Sequence, residues 1–324
     1  MSNILVIGGG GYVGTPLCDS LAQDGHKVTS LDTFWYGNFH NKNIKTIKYN
    51  IIDSIREKPT LNLNDFDIAI FLASISNDPS AEISHAFTRL VNFEATKSFL
   101  KYVNTSRISR LIFASSSSVY GVSSEPNVTE MNPVAPLTLY SKLKVDIERF
   151  ILNEINNTES VIVRPATVYG PSSRMRLDVI VNILCASAIN NQKINVFGGQ
   201  QFRPNIYIDD IIEFYKTLSC YPGSIDKEIF NIGAENLNVD EIASRIIEHF
   251  DGVEIAHIHT NDLRSYRINS SKAWDFFGIP PYTMNSSSIK NTIEYIRTIN
   301  DRDSIKYINL KTIEHLIKSK KHLL

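Results

Sequence analysis

The sequence predicts an α/β protein, a doubly wound parallel sheet carrying a smaller α/β domain. Three observations predict it. Short β-branched runs alternate with helix-period stretches through the first half, the pattern of parallel strands joined by crossover helices. The first of these runs ends in a glycine cluster that opens a helical pattern. After Pro165 the alternation loosens into turn clusters at 170–173 (GPSS), 197–200 (FGGQ) and 221–224 (YPGS), so a less regular second unit follows.

The expected strands are Ile4–Ile7, Val28–Leu31, Ile47–Asn50, Ile68–Ala73, Leu111–Ser115 and Val161–Arg164, each a short apolar run of the kind a sheet covered on both faces requires. Helical patterns near 12–24, 84–103 and 138–155 supply the crossovers. Residues 1–166 are therefore assigned to a dinucleotide-binding unit and 167–324 mainly to a second domain. The strand-like segments Ile206–Ile208 and Glu228–Ile232 are candidates to return to the main sheet. Near the C-terminus Ile305, Ile308, Ile313, Leu316 and Ile317 fall near one helical face, with lysines elsewhere, which reads as an end helix packed on the body.

At 324 residues and 43% hydrophobic content the chain can bury a large core. Its 33 basic and 34 acidic residues leave a net charge of −1, so no global field draws it to nucleic acid or an anionic membrane, and a small ligand is expected. Cys18, Cys185 and Cys220 are odd in number and far apart, which argues against a disulfide framework or a cysteine-rich zinc site. His257 and His259 alternate in a strand-like stretch without an identifiable third ligand, so no metal is expected. No apolar run approaches the length of a membrane span, and the expected setting is cytoplasmic.

Gly8, Gly11 and Gly14 stand in GxxGxxG spacing between the first strand and the first helical pattern. There glycines allow a tight turn and close approach of backbone to a pyrophosphate, and helix N-terminal amides face its charge. Tyr12 and Val13 belong to the same loop. Asp32 ends the next strand eighteen residues after Gly14, where a carboxylate hydrogen-bonds a ribose diol and repels a 2′-phosphate. With no arginine in 33–36, NAD is favoured over NADP. Asn50 and Ile51, after the third strand, are candidate neighbours of the adenine.

Tyr140 and Lys144 lie four residues apart, one turn on a helical face. An ammonium close to a phenol favours phenolate, which would lower the tyrosine toward neutrality and make it an acid/base for an alcohol/ketone couple. Just after the fifth strand, 115–121 reads SSSSVYG.

This conjunction of GGGGYVG (8–14), LDT (31–33), FLAS (71–74), VN (91–92), SSSSVYG, YSKLK (140–144), RPATVYGPS (164–172), FRPNIYIDD (202–210) and DLRSYRINSSKA (262–273) resembles the extended short-chain dehydrogenase/reductases, specifically the nucleotide-sugar epimerase/dehydratase family with its Rossmann-type fold. The likeness spans almost the whole chain. It implies Ser116, Tyr140 and Lys144 as the catalytic set. It places Leu72, Ala73 and Asn92 beside NAD, and Asn77, Thr167, Asn182, Arg203 and Arg264 beside a nucleotide-diphosphate sugar. Thr167 departs from the asparagine many relatives carry there. Family dehydratases carry aspartate and glutamate where this chain has Ser117 and Ser118, so elimination of water loses its usual acid and base.

The resemblance therefore implies NAD-dependent oxidation at C4 of the sugar, as a dehydrogenase or as the first half of a 4-epimerisation. It is similar to capsule-pathway members acting on hexoses or GDP-linked heptoses, and family habit suggests a homodimer or larger homo-oligomer. A non-catalytic NAD-binding regulator and a non-sugar alcohol dehydrogenase are the alternatives.

Overall fold

Asn3–Ile7 (β1) lies inside a seven-stranded sheet, and four of its five residues are fully buried because helices cover both faces. The computed structural model describes residues 1–260 and 265–319. Along the chain follow Lys27–Asp32 (β2), Lys45–Lys48 (β3), Ile68–Phe71 (β4), Arg110–Ala114 (β5) and Glu159–Pro165 (β6). The smaller elements are Thr167–Tyr169 (β7), Lys193–Phe197 (β8), Phe202–Tyr207 (β9), Ile229–Ile232 (β10), Asn236–Asn238 (β11) and Glu254–Ile258 (β12).

The large sheet runs β10-β6-β5-β4-β1-β2-β3, and every pairing in it is parallel. Alternate residues of one strand feed opposite layers. Ile4 and Val6 pack with Leu17 and Leu21 of the helix Gly14–Gln23 and with Ile211 of Ile208–Cys220. Leu5 and Ile7 pack in the other layer, with Phe99, Leu100, Ile147 and Ile151 from the helices Thr96–Asn104 and Leu139–Glu154. β3 is one of the two edge strands, largely exposed and beginning and ending in Lys45 and Lys48, charges that discourage pairing with another chain.

Three expectations need correction. The segment at 206–208 does not return to the main sheet. Ile206 belongs to β9, which pairs with β7 and β11 in a separate three-stranded sheet, and Ile208 already begins the next helix. β10 does join the large sheet, beside β6. The stretch 84–103 is not one regular helix: His85–Arg89 runs into a π-helical turn, Leu90–Ala95, before Thr96–Asn104. Ile305 and Ile308 precede the last helix, Asn309–Lys318; Ile305 sits in a 3₁₀ turn and Ile308 in extended backbone, while Ile313 and Leu316 are buried as an amphipathic end helix requires.

β8 and β12 form a two-stranded parallel sheet. Between the two small sheets and the C-terminal ends of β1, β2, β4 and β5 lies a cleft. Among the described residues, no helix is long and apolar enough to cross a membrane.

Candidate functional site

The cleft is a cavity of about 650 Å³. Its floor is the glycine loop after β1. A Cβ on Gly8, whose φ is +85°, would lie 2.5 Å from the Ala73 nitrogen, and one on Gly14 would lie 2.4 Å from the Gly8 carbonyl oxygen. Only glycine lets these backbones approach so closely. Gly8, Gly11, Tyr12, Val13, Gly14, Asp32, Asn50, Ile51, Leu72 and Ala73 all line the cavity. The Asp32 carboxylate accepts hydrogen bonds from the amides of Gly10 (3.0 Å) and Phe34 (2.7 Å), which hold it at the cavity wall. Burial raises its pKa and these amides oppose the rise. A side-chain-free cradle followed by a fixed carboxylate fits a dinucleotide: amides for its diphosphate, Asp32 for its adenosine ribose.

The loop after β5 forms the middle of the wall. Ser116 caps the 3₁₀ turn Ser117–Tyr120, its hydroxyl oxygen accepting from the Ser118 amide at 3.2 Å and lying 2.9 Å from the Ser118 hydroxyl. Ser117 lies 3.2 Å from the Tyr266 hydroxyl. Ser115, also on the wall, donates to buried Glu148. Glu148 in turn takes two hydrogen bonds from Arg164 (2.6 and 3.0 Å), and Arg164 donates to Tyr120 at 2.8 Å. This buried ionic cluster ties the serine loop, the helix Leu139–Glu154 and β6 together.

Thr138 and Ser141 form a capping box that starts this helix, so Tyr140 and Lys144 face the cavity from its first turns. Both are buried. The Lys144 ammonium stands 5.7 Å from the centre of the Tyr140 ring. Lys144 Nζ donates to the Ala114 carbonyl at 2.6 Å, and burial pulls its pKa down to about 7 while Glu148 opposes. Tyr140 is raised above the usual phenol range, first by burial and then by the Asp78 carboxylate. Arg176 and a hydrogen bond with Ser116 pull the other way.

Two assignments shift. Asn92 is spent on backbone: it accepts from the Ile75 amide at 2.8 Å and donates to the Ile75 carbonyl at 3.0 Å, which fixes the loop after β4 rather than reaching the cavity. Asn182, fully buried, donates to the Tyr12 hydroxyl (3.0 Å) and the Arg176 carbonyl (2.8 Å) and accepts from the Gly170 amide (3.1 Å), so it clasps the second unit to the glycine loop. Asn50 and Asn77 cap short helices through their side-chain oxygens yet still line the cavity. Thr167 and Arg203 line its far side, and Arg264 lies outside the described residues.

Sequence reasoning passed over Arg174, Arg176, Ser76 and Asn309, all on the cavity wall, whereas Asp78, like Asn77, stands where a sugar contact is expected. The available signal was the alternation in 174–177, RMRL, where two arginines interleave with apolar residues that must be buried. Asp78 accepts from the Thr138 hydroxyl at 2.6 Å, linking the loop after β4 to the cap of the tyrosine helix.

Comparison with known proteins places this geometry. A Bacillus subtilis protein named as an uncharacterized UDP-glucose epimerase is 28% identical over 316 residues, covering 91% of this chain and 98% of its own. Human dTDP-D-glucose 4,6-dehydratase is 27% identical over 322 residues, covering 91% of this chain and 89% of its own. The structure of a Thermotoga maritima UDP-glucose 4-epimerase with UDP-glucose superposes with a TM-score of 0.81 at 23% identity, over 91% of this chain and 98% of that one, and establishes the shared Rossmann-type fold. The model of the NAD dependent epimerase/dehydratase family matches residues 4–233, which include the glycine loop, Asp32, the serine loop and the Tyr140 helix, and the chain belongs to that family.

Proposed function

We propose that this enzyme oxidises C4 of a nucleotide-diphosphate sugar, either releasing the 4-keto sugar or completing a 4-epimerisation, with a GDP-linked heptose as the first candidate. The observation that carries this reading is the hydroxyl pair Ser116–Tyr140 on the cavity wall, above a cradle fit for NAD and with no carboxyl group anywhere in 115–118. When bound, NAD supplies the hydride acceptor.

The chain's own residues do the rest. Tyr140, once its phenol is deprotonated, takes the proton of the C4 hydroxyl, and Ser116, beside it on the cavity wall, steadies the carbinol oxygen. Lys144, 5.7 Å from the Tyr140 ring, holds the nicotinamide ribose, and the cofactor-facing residues are Gly8, Gly11, Tyr12, Val13, Gly14, Asp32, Asn50, Ile51, Leu72 and Ala73. Arg203, with Asn77 and Thr167, faces the substrate. Serines at 117 and 118 cannot supply the acid and base of a 4,6-dehydration, so the reading excludes that outcome. Asp78, near Tyr140, is the carboxylate on which an elimination would have to rely. A cytoplasmic homo-oligomer serving surface-glycan synthesis completes the proposal by analogy.

The test is incubation with a panel of UDP-, GDP- and dTDP-hexoses and GDP-heptoses, following NADH absorbance and analysing products by NMR. Oxidation or inversion at C4 is expected with at least one member. Tyr140→Phe should lower that rate by roughly 10²–10⁴-fold. A product that has lost water would overturn the exclusion of dehydration. No change at C4 across the panel would favour a regulator that binds NAD without turnover.

A further inference from the structure

We propose that Arg174 and Arg176 clamp the diphosphate of the bound dinucleotide from the side opposite the glycine loop. The segment that carries them is pinned onto that loop: the Tyr12 hydroxyl donates to the Gly170 carbonyl at 2.6 Å, and the Ser172 hydroxyl donates to the Tyr12 carbonyl at 2.8 Å. From there the two guanidinium groups diverge. Arg174 lies 3.7 Å from the centroid of Tyr36, in the loop after β2. Arg176 donates to Ser76, in the loop after β4, at 3.3 Å. In the sheet β1 runs between β2 and β4, so the pair straddles the glycine loop where a dinucleotide diphosphate would lie.

Both arginines are built in rather than draped over. Arg174 is 2% exposed and donates to Asn309 at 2.6 Å; Arg176 is 8% exposed and donates to Asp178 at 2.6 Å. Yet Arg174 Nε and Arg176 Nη2 are buried without a hydrogen-bond acceptor among the described residues. Buried guanidinium N–H groups without acceptors are costly, and while Asp178 pairs directly with Arg176, Arg174 has no direct carboxylate partner among the described residues, Asp32 acting on it only at longer range. A diphosphate would supply both the acceptors and the missing negative charge, in the paired geometry guanidinium groups favour. Asn309, at the start of the last helix, would then set Arg174 and couple the C-terminal segment to cofactor retention.

This inference rests on NAD as cofactor and not on the identity of the sugar, so its test involves no turnover. Protein freed of nucleotide is titrated with NAD, with adenosine (which lacks the diphosphate) and with UDP and GDP. The NAD remaining after gel filtration of the untreated protein is measured in parallel. Arg174→Met and Arg176→Met should each weaken NAD roughly 10- to 100-fold while leaving adenosine within threefold, and the retained NAD should fall. Arg174→Lys keeps the charge and loses the planar fork, so a smaller loss, again confined to NAD, is expected even if the methionine variant fails to fold. NAD affinity within twofold of wild type would overturn the clamp. So would equal losses for NAD and adenosine, which would make the pair a scaffold, or a loss confined to UDP or GDP, which would assign it to the substrate's diphosphate.

Discussion

Replacing Glu148 by leucine tests whether the buried ionic cluster holds the serine loop. Glu148 and Arg164 are 2% and 4% exposed and meet through two hydrogen bonds of 2.6 and 3.0 Å. Glu148→Leu leaves the Arg164 guanidinium buried with only the Tyr120 hydroxyl as partner and removes the acceptor of Ser115. Breaking such a pair from one side costs about 3–5 kcal/mol. An unfolding entropy of about 2.1 cal/mol/K per residue, over 324 residues, gives about 0.7 kcal/mol/K, so Tm should fall by about 4–7 °C. Differential scanning calorimetry reads this directly. Adding Arg164→Met to remove the stranded charge should restore at least half of the loss, because the penalty is mostly the unpaired cation. A single variant within 2 °C of wild type, or a double variant whose losses simply add, would refute the reasoning.

Two further outcomes follow from buried ionisable groups. Burial lowers Lys144 to about 7 in the folded protein, against about 10.4 for an unfolded lysine, so between those values the unfolded chain binds more protons and stability from this group rises with pH. Relative to Lys144→Met, wild type should gain up to ~3 kcal/mol, or roughly 4 °C in Tm, between pH 7 and 9; parallel Tm curves for the two proteins would sink the assignment. Cys18 and Cys185 are buried and Cys220 is exposed, so a thiol reagent should titrate one thiol per native chain and three in denaturant, and fast reaction of a second thiol would contradict the packing around the helix Gly14–Gln23 or Ile180–Asn191.

The parts of the fold legible in the sequence are those written locally. β1 and the glycine loop carry their own spacing, and Thr138 and Ser141 announce the helix start that aims Tyr140 and Lys144. What was not legible depends on partners distant in sequence. Ile206 reads as a strand residue wherever it pairs, and only the tertiary arrangement sends it to β7 and β11 instead of the main sheet. The break at 90–95 leaves the hydrophobic spacing nearly intact, so periodicity passes over it. Asn309 lies 233 residues from Ser76, to which it donates at 3.0 Å, and no local pattern marks a residue of the last helix as part of the cavity.

Counting hydrogen bonds separates residues that touch a ligand from residues that place those that do. Asn92 and Asn182 occupy motif positions that suggest ligand contact, but both ends of each amide are already used: Asn92 on Ile75, Asn182 on Tyr12, Arg176 and Gly170. Both Asn182 N–H donors are taken and Asn92 keeps one, so neither side chain can reach a ligand with its full bonding capacity without surrendering a bond of comparable strength. Arg174 and Arg176 show the opposite imbalance, with buried N–H groups left over. The two sets are physically linked, because Asn182 holds the Arg176 carbonyl and the Tyr12 hydroxyl together and so sets the height of the arginines above the glycine loop. Losing Asn182 should therefore act on the cofactor through Arg176 rather than through a contact of its own, and replacing it in an Arg176→Met background should cost NAD affinity much less than replacing it alone.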